Sequence, residues 1–193
     1  MHAKINICIE AKFKLNFMAD EEKIPPIGTW AQRERRYIVE WAEARFPGAR
    51  KQFNVPIGPV PEEVIKALGF TKGVRFFRPY RPKIDCLVFL PDKLIAAEAE
   101  ILVPKAAIRD LILYKQLLPQ SPELGEYKLK PMEFYLVMPE SIGWVEEIAR
   151  QNGIKIDIFK PAWIDEYVKA MGKYWTKEGR LERLERKRRL GKA

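Results

Sequence analysis

The stretch KIDCLVFLPDKLIAAEAEILVPKAAIRDLILYKQLL, from Lys83 to Leu118, decides the fold of this chain. It contains two apolar runs, 84–90 and 94–102, joined by a Pro-Asp-Lys turn, and then an apolar pattern of helical period that begins at Pro104. This pattern predicts a β-hairpin followed at once by a helix. Three carboxylates lie on the two strands of this hairpin: Asp85, Glu98 and Glu100.

The rest of the chain extends this hairpin into a sheet that is flanked by helices. Predicted helices cover 30–46, 61–68, 104–118, 141–152 and 161–175, and predicted strands cover 50–57, 84–90, 94–102, 132–138 and 154–159. The hairpin-linked strands come first and the helix-linked strands come after them. This order predicts an α/β fold with a mixed central sheet flanked by helices.

The two ends of the chain have their own patterns. Apolar and polar side chains alternate over residues 1–17, which predicts a long N-terminal strand. That strand is either an edge strand of its own domain or an arm that forms a homo-oligomer with another subunit. Residues 177–193 hold eight Lys/Arg and three Glu, which predicts a basic C-terminal helix or a disordered tail. We therefore divide the chain into an arm (1–20), a core (28–160) and C-terminal helices with a basic tail (161–193).

Composition excludes several kinds of site. The chain has two cysteines and one histidine, which is His2, so a disulfide framework, a Cys/His metal site and a Ser-His-Asp triad are all disfavoured. No apolar run approaches the roughly 20 residues that span a membrane. We expect an intracellular, cytoplasmic protein with no membrane partner. The net charge of +9 favours an acidic partner such as nucleic acid, although the tail contributes much of it.

The carboxylates of the hairpin have the spacing of a site for a hard cation. Glu98 and Glu100 share one face of their strand, about 6.5–7 Å apart. If the two strands pair through the turn, Asp85 lies opposite either Glu98 or Glu100. Mg²⁺ usually binds one or two carboxylates together with water and phosphate. An ion held there lowers the pKa of its bound water and neutralises phosphate charge.

The motif of the PD-(D/E)XK nuclease superfamily is an Asp on one strand, Glu/Asp-x-Lys on the next strand and then a helix. The order of Asp85, Glu98 and the helix that begins at Pro104 resembles this motif. The resemblance covers about Thr29 to Phe159 and implies a restriction-endonuclease-like core. It implies Asp85 and Glu98 as catalytic metal ligands, with Mg²⁺ or Mn²⁺ as cofactor. Glu34 resembles the Glu of an early helix and is implied as a further metal ligand. Tyr114 resembles the tyrosine of a frequent Gln-x-x-x-Tyr motif.

The chain departs from that motif at two positions. Glu100 occupies the lysine position and Asp110 the glutamine position, and Glu100 cannot supply a positive charge. Three interpretations remain open. A lysine from elsewhere reaches the site, with Lys105, Lys51 and Lys83 as candidates; Glu100 and Asp110 are extra ligands for two metals; or the site is inactive and the fold is kept for binding. Each residue also has a structural explanation as a solvated strand or helix charge.

Basic residues next to the hairpin are candidates for nucleic-acid contacts. The segment 72–83 mixes five Lys/Arg with Phe76, Phe77 and Tyr80, a combination that can follow a phosphate backbone and stack on bases. The same aromatics could instead pack under a loop. A second basic cluster lies in the helix that begins near residue 30. The predicted nucleic-acid-binding residues are Arg75, Arg78, Arg81, Lys83, Arg33 and Arg36.

Three functions follow from these patterns. The leading hypothesis is a metal-dependent nuclease that cleaves phosphodiester bonds in DNA, with Asp85, Glu98, Glu100 and Lys105 as catalytic candidates. The first alternative is a catalytically inactive nucleic-acid-binding module of the same fold, which Glu100 and Asp110 favour. The second is a virion or assembly structural protein, which the long N-terminal strand favours.

Overall fold

The computed structural model describes residues 30–102 and 104–175, together with positions 181, 182, 184, 185, 188 and 189 of the tail. The predicted N-terminal strand and arm, residues 1–20, lie outside the described residues, as does much of the basic tail. The predictions for those segments, including the homo-oligomer, stay predictions.

Five strands and six α-helices form the described part of the chain. The helices are α1 (Trp30–Arg45), α2 (Glu62–Leu68), α3 (Phe70–Phe77), α4 (Pro104–Leu117), α5 (Gly143–Gln151) and α6 (Ile164–Trp175). The strands are β1 (Arg50–Pro56), β2 (Lys83–Phe89), β3 (Leu94–Ala99), β4 (Met132–Met138) and β5 (Ile154–Ile158). Three short 3₁₀ helices, Arg78–Tyr80, Leu118–Gln120 and Pro122–Leu129, lie in the connections.

The strands form one mixed sheet in the order β1-β2-β3-β4-β5. The first three strands are antiparallel neighbours, whereas β3, β4 and β5 run parallel. A four-residue turn, residues 90–93, joins β2 to β3 and pairs Phe89 with Leu94. Parallel neighbours need a crossover connection, and α4 and α5 supply the two crossovers here. The predicted α/β class with a mixed sheet flanked by helices is confirmed.

Two apolar cores separate the sheet from its helices. On one face, α4 and α5 bury residues such as Leu111 and Val145 against Leu87 of the sheet. On the other face, α1 and α6 bury Tyr37, Trp41, Tyr167 and Met171 against alternate sheet positions. Because successive strand residues point to opposite faces, β3 contributes Leu94 and Ala96 to the first core and Ile95 and Ala97 to the second.

The main difference from the predicted elements is a helical hairpin, residues 62–80, made of α2, α3 and the 3₁₀ turn Arg78–Tyr80. The sequence predicted α2, but the segment of α3 was interpreted only as basic and aromatic. Gly69, with φ 76°, makes the turn between the two helices. A Cβ at Gly73 would come within 3.1 Å of the Val64 carbonyl, so glycine permits the close contact of α3 with α2.

No helix in the described ranges has the length and apolar character needed to cross a membrane.

Candidate active site

The carboxylates Asp85 and Glu98 face each other where β2 and β3 separate. The backbone ladder between these strands ends at the pair Cys86 and Ala97, so the next two opposed residues are Asp85 and Glu98. Beyond that point, side chains replace the missing ladder bonds. The Asp85 N–H donates to Glu98 Oε1 (3.1 Å), and the Ala99 N–H donates to Asp85 Oδ2 (3.0 Å). The two carboxyls are therefore held by each other's strand.

The environment raises the pKa of both carboxyls. Burial, and then the charge of Asp85, raise the pKa of Glu98 well above its ordinary value. Burial also raises the pKa of Asp85, against the hydrogen bonds from Ala99 and Glu98. The interaction between the two carboxyls raises the pKa of Glu98 and lowers that of Asp85, so the rise in pKa is larger for Glu98.

Further acids surround this pair from both helical layers. Burial raises the pKa of Glu34, on α1, to about 7, and the charges of Glu100 and Asp85 add to the rise. From α4, the charge of Asp110 acts on Glu98. Glu100 accepts a hydrogen bond from the Leu102 N–H (3.2 Å) just beyond the end of β3. The fold therefore concentrates negative charge at the end of the sheet where β3 terminates.

Tyr114 of α4 connects this cluster to β2. Its hydroxyl donates a hydrogen bond to the Lys83 carbonyl (3.1 Å), two residues before Asp85. Burial raises its pKa, and the charges of Glu98, Asp110 and Asp85 contribute to the rise. Tyr114 therefore stays neutral at physiological pH and fixes the start of β2 beside the helix.

The candidate lysines do not pair with Asp85 or Glu98. The Lys51 ammonium is buried and donates to Glu43 (3.0 Å) and to the Ala49 carbonyl (3.3 Å). The Lys83 and Lys105 side chains are exposed. Among the residues that the structure describes, no ion pair joins Lys51, Lys83 or Lys105 to Asp85 or Glu98. The prediction that Lys105 serves the nucleophile stays a prediction.

The donor set can be compared with the needs of a hard cation. Within 30–102 and 104–175, no group of three or more acidic, cysteine or histidine side chains is arranged to hold a metal ion as it stands. Mg²⁺, however, commonly takes only one or two protein carboxylates and completes its shell with water and phosphate. Asp85 and Glu98 fit that requirement in chemistry. A metal site formed by Asp85, Glu98 and Glu34 stays a prediction.

The basic residues predicted to contact nucleic acid fall into two groups. Arg75, Arg78 and Lys83 are exposed. Arg81 is buried, with only 2% of its side chain exposed, and it binds both oxygens of Glu123. Arg36 pairs with Glu40 (2.6 Å) and lies over the Trp163 ring (4.9 Å to the centroid). The Arg33 side chain lies outside the described part of the chain.

Glu123 is the residue that sequence reasoning did not single out. It lies 42 positions after Arg81, in the 3₁₀ helix Pro122–Leu129, and no local spacing signals the pairing. Arg81 Nε also donates to the Ile57 carbonyl (3.4 Å), and the Gly58 N–H donates to Ser121 Oγ (2.8 Å). These bonds fix the two ends of the helical hairpin to the same loop, so Arg81 holds the fold in place and is not part of an exposed basic surface.

Comparison with known proteins gives one match in structure and none in sequence. No family model matches the chain, and no curated protein matches it. A solved structure of an EndoMS–dsDNA complex matches with a TM-score of 0.41 and 18% sequence identity. The match covers 74% of this chain and 48% of the other, so the chain spans about half the length of that protein.

Proposed function

We propose that this protein is a divalent-metal-dependent nuclease that cleaves phosphodiester bonds in DNA at the Asp85–Glu98 pair. The observation that carries the proposal is the pair itself: two opposed carboxyls at a strand separation, surrounded by further acid, in a chain whose net charge is +9. A basic protein attracts a polyanion, whereas the local acid would repel phosphate unless a cation neutralised it.

The residues of the chain have separate roles in this proposal. Asp85 and Glu98 present oxygen ligands that the backbone N–H groups of the opposite strand hold in place. Mg²⁺ or Mn²⁺ bound there would neutralise phosphate charge and make a bound water more acidic. Glu34, whose pKa is raised to about 7, can exchange a proton with water near neutral pH. Because the pKa of Glu98 is raised, metal binding there must compete with its protonation.

The test is cleavage of supercoiled plasmid in Mg²⁺, Mn²⁺ or EDTA. We expect nicking that needs the metal and falls at least about 100-fold in Asp85→Asn and in Glu98→Gln, because a catalytic metal supplies several kcal/mol of charge stabilisation. Asp165→Asn, which removes an exposed acid that pairs with Lys160, is the matched control and should cleave like the wild type. Cleavage that persists in EDTA or in Asp85→Asn would refute the proposed site.

A second candidate function is nucleic-acid binding without catalysis. The positions of the lysines favour this candidate. The Lys51 ammonium donates a hydrogen bond to Glu43, and the motif's lysine position holds Glu100. This candidate predicts salt-sensitive DNA binding in the same plasmid samples with no nicking in any metal. Metal-dependent nicking that Glu98→Gln abolishes would exclude it.

A further inference from the structure

The helical hairpin, residues 62–80, leaves one of its faces without a packing partner. None of the residues of α2 is buried, and Gly73 is the only buried residue of α3. Phe76 is 59% exposed and Tyr80 is 71% exposed. Exposed apolar groups that lie together and are rimmed by polar residues mark interaction sites.

Basic and aromatic side chains alternate on that surface. Lys72 and Phe76 are four residues apart on α3 and therefore lie on one face, with Arg75 beside them. The Tyr80 ring continues the surface and contacts the Phe77 ring (5.4 Å between centroids). Residues 70–80 contain three Lys/Arg and no Asp or Glu. A partner that binds this surface must therefore carry negative charge and present flat apolar groups to the rings.

Both ends of the helical hairpin are fixed to the rest of the fold, although its outer face is exposed. The Arg81–Glu123 pair fixes its exit, and the bond from Gly58 to Ser121 fixes its entry. The exit leads directly into β2, where Asp85 is the third residue. Five residues of extended chain reach at most about 18 Å, so the Cα atoms of Tyr80 and Asp85 lie within that distance of each other.

We propose that the helical hairpin binds unpaired bases of a DNA strand, with Phe76 and Tyr80 as stacking platforms and Lys72, Arg75 and Arg78 on the phosphates. This proposal rests on the proposed function and names its substrate class: DNA with single-stranded character next to the cleavage site. Bases present a π-face to an aromatic ring only when they are not stacked in a duplex, which is why exposed rings favour a single strand. A second copy of the same surface would oppose like charges and is disfavoured.

The test is fluorescence anisotropy in EDTA with labelled oligo-dT and with a blunt duplex of the same length. We expect Phe76→Ala and Tyr80→Ala each to weaken oligo-dT binding at least about fivefold and to change duplex binding less than twofold, from the usual contribution of a base stacked on an aromatic ring. Tyr80→Phe keeps the ring and should bind like the wild type. Trp144→Ala removes a ring that is 53% exposed on α5 and is the matched control.

Several results would overturn the proposal. These are unchanged oligo-dT binding in both alanine variants, equal losses on oligo-dT and duplex, or an equal loss in Trp144→Ala. Two further experiments test other occupants of the surface: cosedimentation with phosphatidylserine vesicles and sedimentation of the protein alone. Vesicle binding or dimerisation that requires Phe76 and competes with oligo-dT would also overturn the proposal.

The same samples separate this proposal from the proposed nuclease. Phe76→Ala and Tyr80→Ala are assayed both for oligo-dT binding in EDTA and for plasmid nicking in Mg²⁺. Ring-dependent binding without metal-dependent cleavage would refute the nuclease and leave the single-strand surface standing. Metal-dependent cleavage without ring-dependent binding would refute the single-strand surface and leave the nuclease standing.

Discussion

Two buried ionic sites lie four residues apart at the start of β2, and they are satisfied in opposite ways. Arg81 binds both carboxylate oxygens of Glu123, so its charge is neutralised within the fold. Asp85 and Glu98 are both acids, and each accepts a hydrogen bond from a backbone N–H of the opposite strand. The first site is complete, whereas the second gains from an added positive charge. The difference separates a structural ion pair from a candidate site of chemistry.

Breaking the complete site gives the largest expected effect. Glu123→Ala leaves the buried Arg81 without its counter-ion, and we expect the free energy of unfolding to fall by about 3–5 kcal/mol. The measurement is urea denaturation followed by circular dichroism. Glu147→Ala removes the acid of an exposed Arg–Glu pair on α5 and should lower the free energy of unfolding much less. Equal losses in the two variants would contradict the comparison.

Adding a cation should stabilise the incomplete site. With free Mn²⁺ at 100 times its dissociation constant, binding to the folded state raises the free energy of unfolding by about 2.7 kcal/mol. We expect this gain in the wild type and in Asp165→Asn and expect it to be lost in Asp85→Asn, measured by thermal unfolding over a Mn²⁺ titration. A shift of the same size in Asp85→Asn would place the ion elsewhere.

The pH dependence of stability should give the smallest effect. Between pH 4.5 and about 7 the folded state keeps the Glu34 proton that the unfolded chain has lost. Stability therefore falls as pH rises through this window, since the folded state binds more protons. Glu34→Gln should reduce this decrease in the free energy of unfolding by an amount on the order of 1 kcal/mol. The value is kept small because solvent screens a half-buried group.

Urea denaturation at a series of pH values measures this part of the slope. Glu63→Gln, which changes an exposed acid on α2, is the control and should keep the wild-type slope. Asp85 and Glu98 remain in both variants, so the comparison isolates Glu34. If the slope of Glu34→Gln matches that of the wild type, burial and the neighbouring acids do not raise the pKa of the Glu34 carboxyl.

Much of the fold could be predicted from local patterns. The strand Met132–Met138 has the predicted bounds, and most other elements differ from their predicted bounds by only a few residues. The strand β3 ends at Ala99, three residues before its predicted end. At that end Asp85 and Glu98 replace ladder bonds with side-chain bonds, which a periodic apolar pattern cannot reveal.

The sequence by itself determined the α/β class, the β-hairpin of β2 and β3, and the acids on that β-hairpin. Strand periodicity, helix periodicity and turn residues act over a few neighbouring positions, which is why these features could be predicted. Only the tertiary structure decided that Asp85 faces Glu98, since the register depends on the turn that pairs Phe89 with Leu94. It also moved Arg81 from the predicted basic surface into an ion pair with Glu123 and brought Glu34 to the acids. Such contacts join residues far apart in the chain, and burial then sets their charge states.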